Sequence, residues 1–125
     1  MNTDEKKFNI AKQLHLSGKI KESQKIYLDL SKIYKKNHIL FYLIGTTFLQ
    51  IKRFNEAIDN FRTSINLNSN FPEVYNNLGI TLAEKEKYSE AFANYNKAIK
   101  LKNDYIDAYI NRGISLNKLK KFEDA

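Results

Sequence analysis

Residues 75–82 read YNNLGITL, with a glycine at position 79 inside a stretch of helical spacing. Tyr75, Leu78, Leu82 and Glu86 share one stripe, whereas Asn76, Asn77 and Thr81 fall off it. A glycine within a helix costs about 1 kcal/mol relative to alanine, so a contact that requires the missing side chain is expected here. The same octet recurs 34 residues to either side, as FYLIGTTF with Gly45 and YINRGISL with Gly113.

That interval organises the chain into units of 4–37, 38–71, 72–105 and a partial 106–125, with no insertion or deletion. Small residues recur at Ala11, Gly45, Gly79 and Gly113, and again at Ser23, Ala57, Ala91 and Ala125. Bulkier residues hold Ile20, Phe54, Tyr88 and Phe122, and then Tyr27, Phe61 and Tyr95; a weaker column runs Leu30, Ser64 and Ala98. Each unit reads as two amphipathic helices joined by a short polar turn, clearest over 73–86 and 89–101. Gly18 marks the first turn, and Lys52 with Arg53 and Glu86 with Lys87 mark the next two. Asn66 to Asn70 separate the second unit from the third, and the lone Pro72 opens a helix, where its missing N–H is harmless. No sustained alternation of period two supports a strand.

Composition bounds the rest. A chain of 125 residues with 42% hydrophobic and 13% aromatic content can bury a core as one domain. It has no cysteine, which excludes disulfides and thiolate metal sites. The start, MNTDEKKFNIAK, does not resemble a signal peptide, and no run of 18 apolar residues occurs, so a cytoplasmic protein that does not enter a membrane is expected. The net charge of +7 is local: nine lysines face four acids over 4–37, giving +5, while the later units carry +1, 0 and +1. Basic residues are 18 lysines and only 3 arginines, spread singly along helical faces, which argues for a solvated surface and against nucleic acid.

With those columns in phase, the chain resembles an array of tetratricopeptide (TPR) repeats, best in YNNLGITLAEKEKYSEAFANYNKAIKL and closely in FYLIGTTFLQIKRFNEAIDNFRTSINL. The resemblance covers 4–125 and implies an all-α, right-handed α-solenoid of antiparallel helix pairs, a single array over 1–125. The first unit departs most, with Lys7 where the others have Phe41, Tyr75 and Tyr109, and reads as an atypical terminal repeat. Gly79 is then expected at a helix crossing, where Ala91 and its neighbours approach and Tyr75, Leu82, Tyr88 and Tyr95 become buried.

Catalysis finds no support. His15 and His38 are far apart and read as surface or turn residues; the carboxylates Asp104, Asp107, Glu84 and Glu86 are interspersed with lysines; no phosphate-binding glycine loop exists. The reading is a non-enzyme with no cofactor and no metal.

What remains is a binding surface. The resemblance implies that the first helix of each unit lines a concave groove through residues off the packing stripe. That set is Phe8, Asn9, Lys12 and His15; Tyr42, Leu43, Thr46 and Leu49; Asn76, Asn77, Ile80 and Glu84; Ile110, Asn111, Ile114 and Asn117. The partner-binding residues expected to matter most are Tyr42, Leu43, Thr46, Leu49, Asn76, Asn77, Ile80, Asn111 and Ile114. Asn77 and Asn111 occupy equivalent positions and resemble the asparagine ladder of peptide-binding arrays, with donor and acceptor suited to a peptide backbone. Tyr42, Leu43 and Leu49 suggest an apolar anchor on the partner or an intramolecular segment.

The subtype that clamps acidic chaperone tails does not fit: its places hold Tyr42, Thr46, Asn77, Asp107 and Asn111, or Phe8, Lys12, Leu43, Glu73 and Asn77, without the basic pair. Ala125 falls just inside the fourth unit's second helix, so Tyr109, Leu116 and Leu119 should lack their cover, which suggests either a piece of a longer array or self-association through the open end. The leading expectation is a scaffold binding a peptide or helix of a protein partner. The alternatives are a recognition arm of a larger enzyme, such as a glycosyltransferase, and RNA binding through the lysines of residues 6 to 36.

Overall fold

The structure, a computed structural model, describes residues 2–124, with side chains up to Lys121. The expectations for Phe122 and Ala125 lie outside the described residues. Among the described residues the chain is seven helices: α1 (Thr3–Leu16), α2 (Ile20–Ile33), α3 (His38–Gln50), α4 (Phe54–Leu67), α5 (Pro72–Glu84), α6 (Tyr88–Leu101) and α7 (Ile106–Asp124). First helices begin at His38, Pro72 and Ile106, and second helices at Ile20, Phe54 and Tyr88, so both series keep the 34-residue interval.

Local chemistry sets the helix ends. Asn2 caps α1 by accepting from the Glu5 N–H at 2.8 Å, and Asn37 caps α3 by accepting from the Ile39 and Leu40 N–H groups. Pro72 occupies the first turn of α5. Within each helix pair the chain reverses through one left-handed residue, Gly18 at φ 83°, Lys52 at 62° and Glu86 at 60°. Only the glycine adopts that conformation freely; for Lys52 and Glu86 it costs about 1–2 kcal/mol, offset by the packing of the helices they join.

The fourth unit breaks this pattern. A second helix was expected to have begun before Ala125, yet α7 runs unbroken to Asp124.

The chain divides into two compact units, Met1–Leu67 and Asn68–Ala125. In the first, α1 packs on α2, α2 on α3 and α3 on α4. Ala11, Tyr27, Leu30, Leu40 and Ile44 form its core, with Phe8, Ile26, Phe41, Leu43 and Phe48 against it. In the second, α6 packs on α5 and α7, and α5 also touches α7. Val74, Tyr75, Leu78, Leu82, Ala91, Tyr95 and Ala98 are buried there. Burying each large side chain contributes about 1.5–3 kcal/mol.

The glycine column answers to the aromatic column rather than to the alanines. A β-carbon at Gly79 would lie 2.7 Å from Tyr95 Cδ1, and one at Gly45 would lie 2.6 Å from Phe61 Cδ1. Ala91 is buried as expected, but the residue that needs the missing side chain is Tyr95. Tyr88 is only half-buried. Gly113, expected to be buried like its equivalents, is exposed with nothing within 4 Å, because no described ring covers it. Tyr109 and Leu116 are correspondingly exposed, and Leu119 is half-buried. Thr81, expected off the packing stripe, is fully buried, as are its equivalents Thr47 and Ser115. A hydroxyl can enter the core because it bonds to a helix carbonyl: Thr47 donates to Ile44 and Thr81 to Asn77.

Candidate functional site

In the second unit, the first helices α5 and α7 and the start of α6 enclose an open cleft of about 410 Å³. Ile80 and Glu84 of α5 form one wall, and Asn111, Ile114 and Lys118 of α7 the other, with Tyr95 and Ser115 at the floor. Ile114 is 53% exposed and Ile80 half-buried, so two branched apolar side chains border the opening. Three of the expected partner-binding residues, Ile80, Asn111 and Ile114, thus line one cleft.

Asn76 takes a different role. Expected in the groove, it is 4% exposed and accepts a hydrogen bond from Asn111 Nδ2 at 3.1 Å. An amide can be buried only with its polar atoms engaged, and Asn111 supplies a partner. The bond fixes the Asn111 amide at the cleft wall, leaving Oδ1 and a second N–H available to a ligand. Of the two equivalent asparagines expected to face a peptide, Asn111 lines the cleft and meets Asn76, while Asn77 is half-buried and does not line it.

The floor is polar but closed to water. Burial pushes the Tyr95 hydroxyl up to about 12; the bond to Ser115 acts in the opposite direction, and the nearby Glu84 carboxylate raises it further. Tyr95 therefore remains a neutral phenol at ordinary pH and works as a rigid wall, its ring seated on Gly79.

In the first unit, the four expected residues of α3 are all half-buried. The Tyr42 ring lies 6.2 Å from that of Phe61, Leu43 packs against the core, and the Thr46 hydroxyl donates to the Tyr42 carbonyl at 2.9 Å. Leu49 completes an apolar edge to this helix. The two histidines, expected at a helix surface or a turn, are both half-buried, and His38 opens α3 directly after the turn. His15 Nε2 donates to Gln50 Oε1 at 2.7 Å, which leaves Nδ1 to accept from the Tyr27 hydroxyl at 3.3 Å. This joins α1, α2 and α3, and burial raises Tyr27 to about 12. The His38 carbonyl accepts from Ser64 Oγ at 2.8 Å.

Sequence reasoning missed Tyr95, Ser115 and Lys118 as cleft residues. The repeating hydroxyls at Thr47, Thr81 and Ser115 were the available signal for a polar floor. Among the described residues no group of three His, Asp or Glu side chains could hold a metal, and no helix is long and apolar enough to cross a membrane.

Comparison with known proteins adds to this geometry. A family profile described as TPR repeat matches residues 45–85 and 81–120, more than half of the chain. The Sgt2 TPR domain from Aspergillus fumigatus superposes with a TM-score of 0.93 at 11% identity, covering 100% of this chain and 84% of that one. The first TPR of Spaghetti (RPAP3), solved bound to the HSP90 peptide SRMEEVD, gives 0.90 at 17% identity over 94% and 93%. The MamA protein gives 0.88 at 20% identity over 94% of this chain, which spans 64% of the length of MamA. At these identities the likeness shows the fold, all-α with antiparallel helix pairs. No curated protein matches the sequence.

Proposed function

Because the chain belongs to the tetratricopeptide repeat family, we propose that it is a protein interaction scaffold whose first helices bind a peptide or helix of a partner protein. The observation that carries this reading is the cleft of the second unit, where Ile80 and Ile114 flank an Asn111 amide held in place by the buried Asn76. A volume of about 410 Å³ accommodates one or two apolar side chains of an extended segment. The oriented amide is suited to that segment's backbone N–H and C=O groups. Tyr42, Leu43, Thr46 and Leu49 on α3 offer a second, mainly apolar contact surface. The relative solved with SRMEEVD supports a peptide as the kind of ligand. The lack of a basic pair at the corresponding places here argues that an acidic tail is not the one bound. The arrangement favours binding over catalysis, and nothing in it favours nucleic acid.

The test is a peptide library displayed on phage and selected on the intact chain. Selected peptides should lose roughly tenfold or more in affinity on Ile80→Ala and Ile114→Ala, the range of deleting an anchoring contact. Both variants should keep the melting temperature of the parent within a few degrees. Selected peptides that bind both variants as tightly as the parent would overturn the assignment.

A further inference from the structure

The first unit holds a second recess, of about 310 Å³, at the start of α1 and the end of α2. Its base is apolar: Leu30 and Leu40 are nearly fully buried, and Phe8 stands beside them. Tyr34 forms a wall and donates to Asp4 Oδ2 at 2.6 Å. The rim carries the carboxylates of Asp4 and Glu5 and the amide of Asn37; none of the chain's 18 lysines lines it.

The repeat explains why this place is open. Asn37 caps α3, and its equivalents one and two units later are Phe71, which caps α5, and Tyr105, which precedes α7. Both of those rings are half-buried. Lys102, the equivalent of Tyr34, sets its ammonium 4.8 Å over the Tyr105 ring. Later units thus supply their own aromatic side chain at a position where the first has only a short amide. In the second unit that ring also comes with a cation.

We infer that the recess bounded by Phe8, Leu30, Tyr34 and Leu40 is a docking site for an aromatic side chain of a partner protein that carries a lysine or arginine within a turn of it. The apolar base takes the ring. Asp4 and Glu5 attract the cation, a charge preference opposite to that of the chain as a whole. This site uses neither α5, α6 nor α7, so it stands apart from the cleft proposed above.

The probes are two tetrapeptides, acetyl-Lys-Asn-Asn-Tyr-amide and acetyl-Glu-Asn-Asn-Tyr-amide, titrated into the full chain while the Leu30 and Leu40 methyl resonances are followed. The lysine peptide should move both resonances and bind roughly three- to fivefold more tightly than the glutamate peptide, the range of an exposed ion pair. Asn37→Phe, which restores the aromatic of the later units, should abolish the shifts. The double variant Asp4→Asn with Glu5→Gln leaves the Asn37 cap untouched and should remove the preference while keeping the tyrosine-dependent shifts. Unmoved Leu30 and Leu40 resonances, equal binding of the two peptides, undiminished binding to a folded Asn37→Phe chain, or a preference that survives the double variant would each overturn the inference.

Discussion

The ring of Tyr95 lies on the bare backbone of Gly79, so close that a β-carbon at 79 would stand 2.7 Å from Cδ1 and 2.9 Å from Cζ. Gly45 and Phe61 repeat this relationship in the first unit. The 34-residue period is therefore a packing rule, in which a first helix gives up a side chain so that a second helix can seat a ring.

Gly79→Ala should destabilise the chain although alanine is the better helix former, because overpacking a helix contact costs about 1–3 kcal/mol. Gly113→Ala should stabilise it by up to about 1 kcal/mol, since position 113 is helical and open. Denaturant midpoints of the two variants should move in opposite directions.

Much of this was legible because a repeat states the same physics several times. Helix starts, the turn residues Gly18, Lys52 and Glu86, and the buried glycines of the middle units follow from columns that agree with one another. The errors have a shared cause. Gly113 was read by analogy with Gly45 and Gly79, but their burial comes from the Phe61 and Tyr95 rings seated on them, and nothing lies within 4 Å of a β-carbon at 113. Asn76 was placed in the groove because it lies off the packing stripe; the sequence could not show that Asn111 would reach it and make its burial tolerable.

The Asn76 and Asn111 pair links stability to the proposed site. Asn111→Ala leaves a buried amide without its partner and should cost about 1–3 kcal/mol, whereas Asn77→Ala removes no bond to Asn111. The Asn111 variant needs its melting temperature measured beside its affinity, and Asn76→Leu combined with Asn111→Ala should recover part of the lost stability.

Alkaline titration reads the two buried phenols. Tyr27 and Tyr95 are raised from 10.0 to about 12, mainly by burial, so the folded state holds these protons more tightly than the unfolded chain. Their contribution is complete below pH 10 and is lost as the pH rises towards 12. Phenolate absorbance should therefore show Tyr27 and Tyr95 ionising late, together with loss of helical ellipticity. Ionisation of all eight tyrosines near pH 10 in a fully helical chain would contradict the burial described.

The peptide SRMEEVD, bound by the Spaghetti domain, should show no saturable binding to this chain. Asn77, Asp107 and Asn111 of the second unit give its carboxylates no basic pair, and Asp107 would repel them. Replacing Asp107 with lysine and Asn111 with arginine should raise its affinity measurably in a direct titration.

The most direct test of the scaffold reading is chemical-shift mapping of a library-selected peptide on the isotopically labelled chain. The account predicts that the largest changes fall on Ile80, Asn111, Ile114 and Lys118, around the cleft of the second unit. Changes confined to the outer surface of α6, at Lys97 and Lys100, with the cleft residues unmoved, would contradict it.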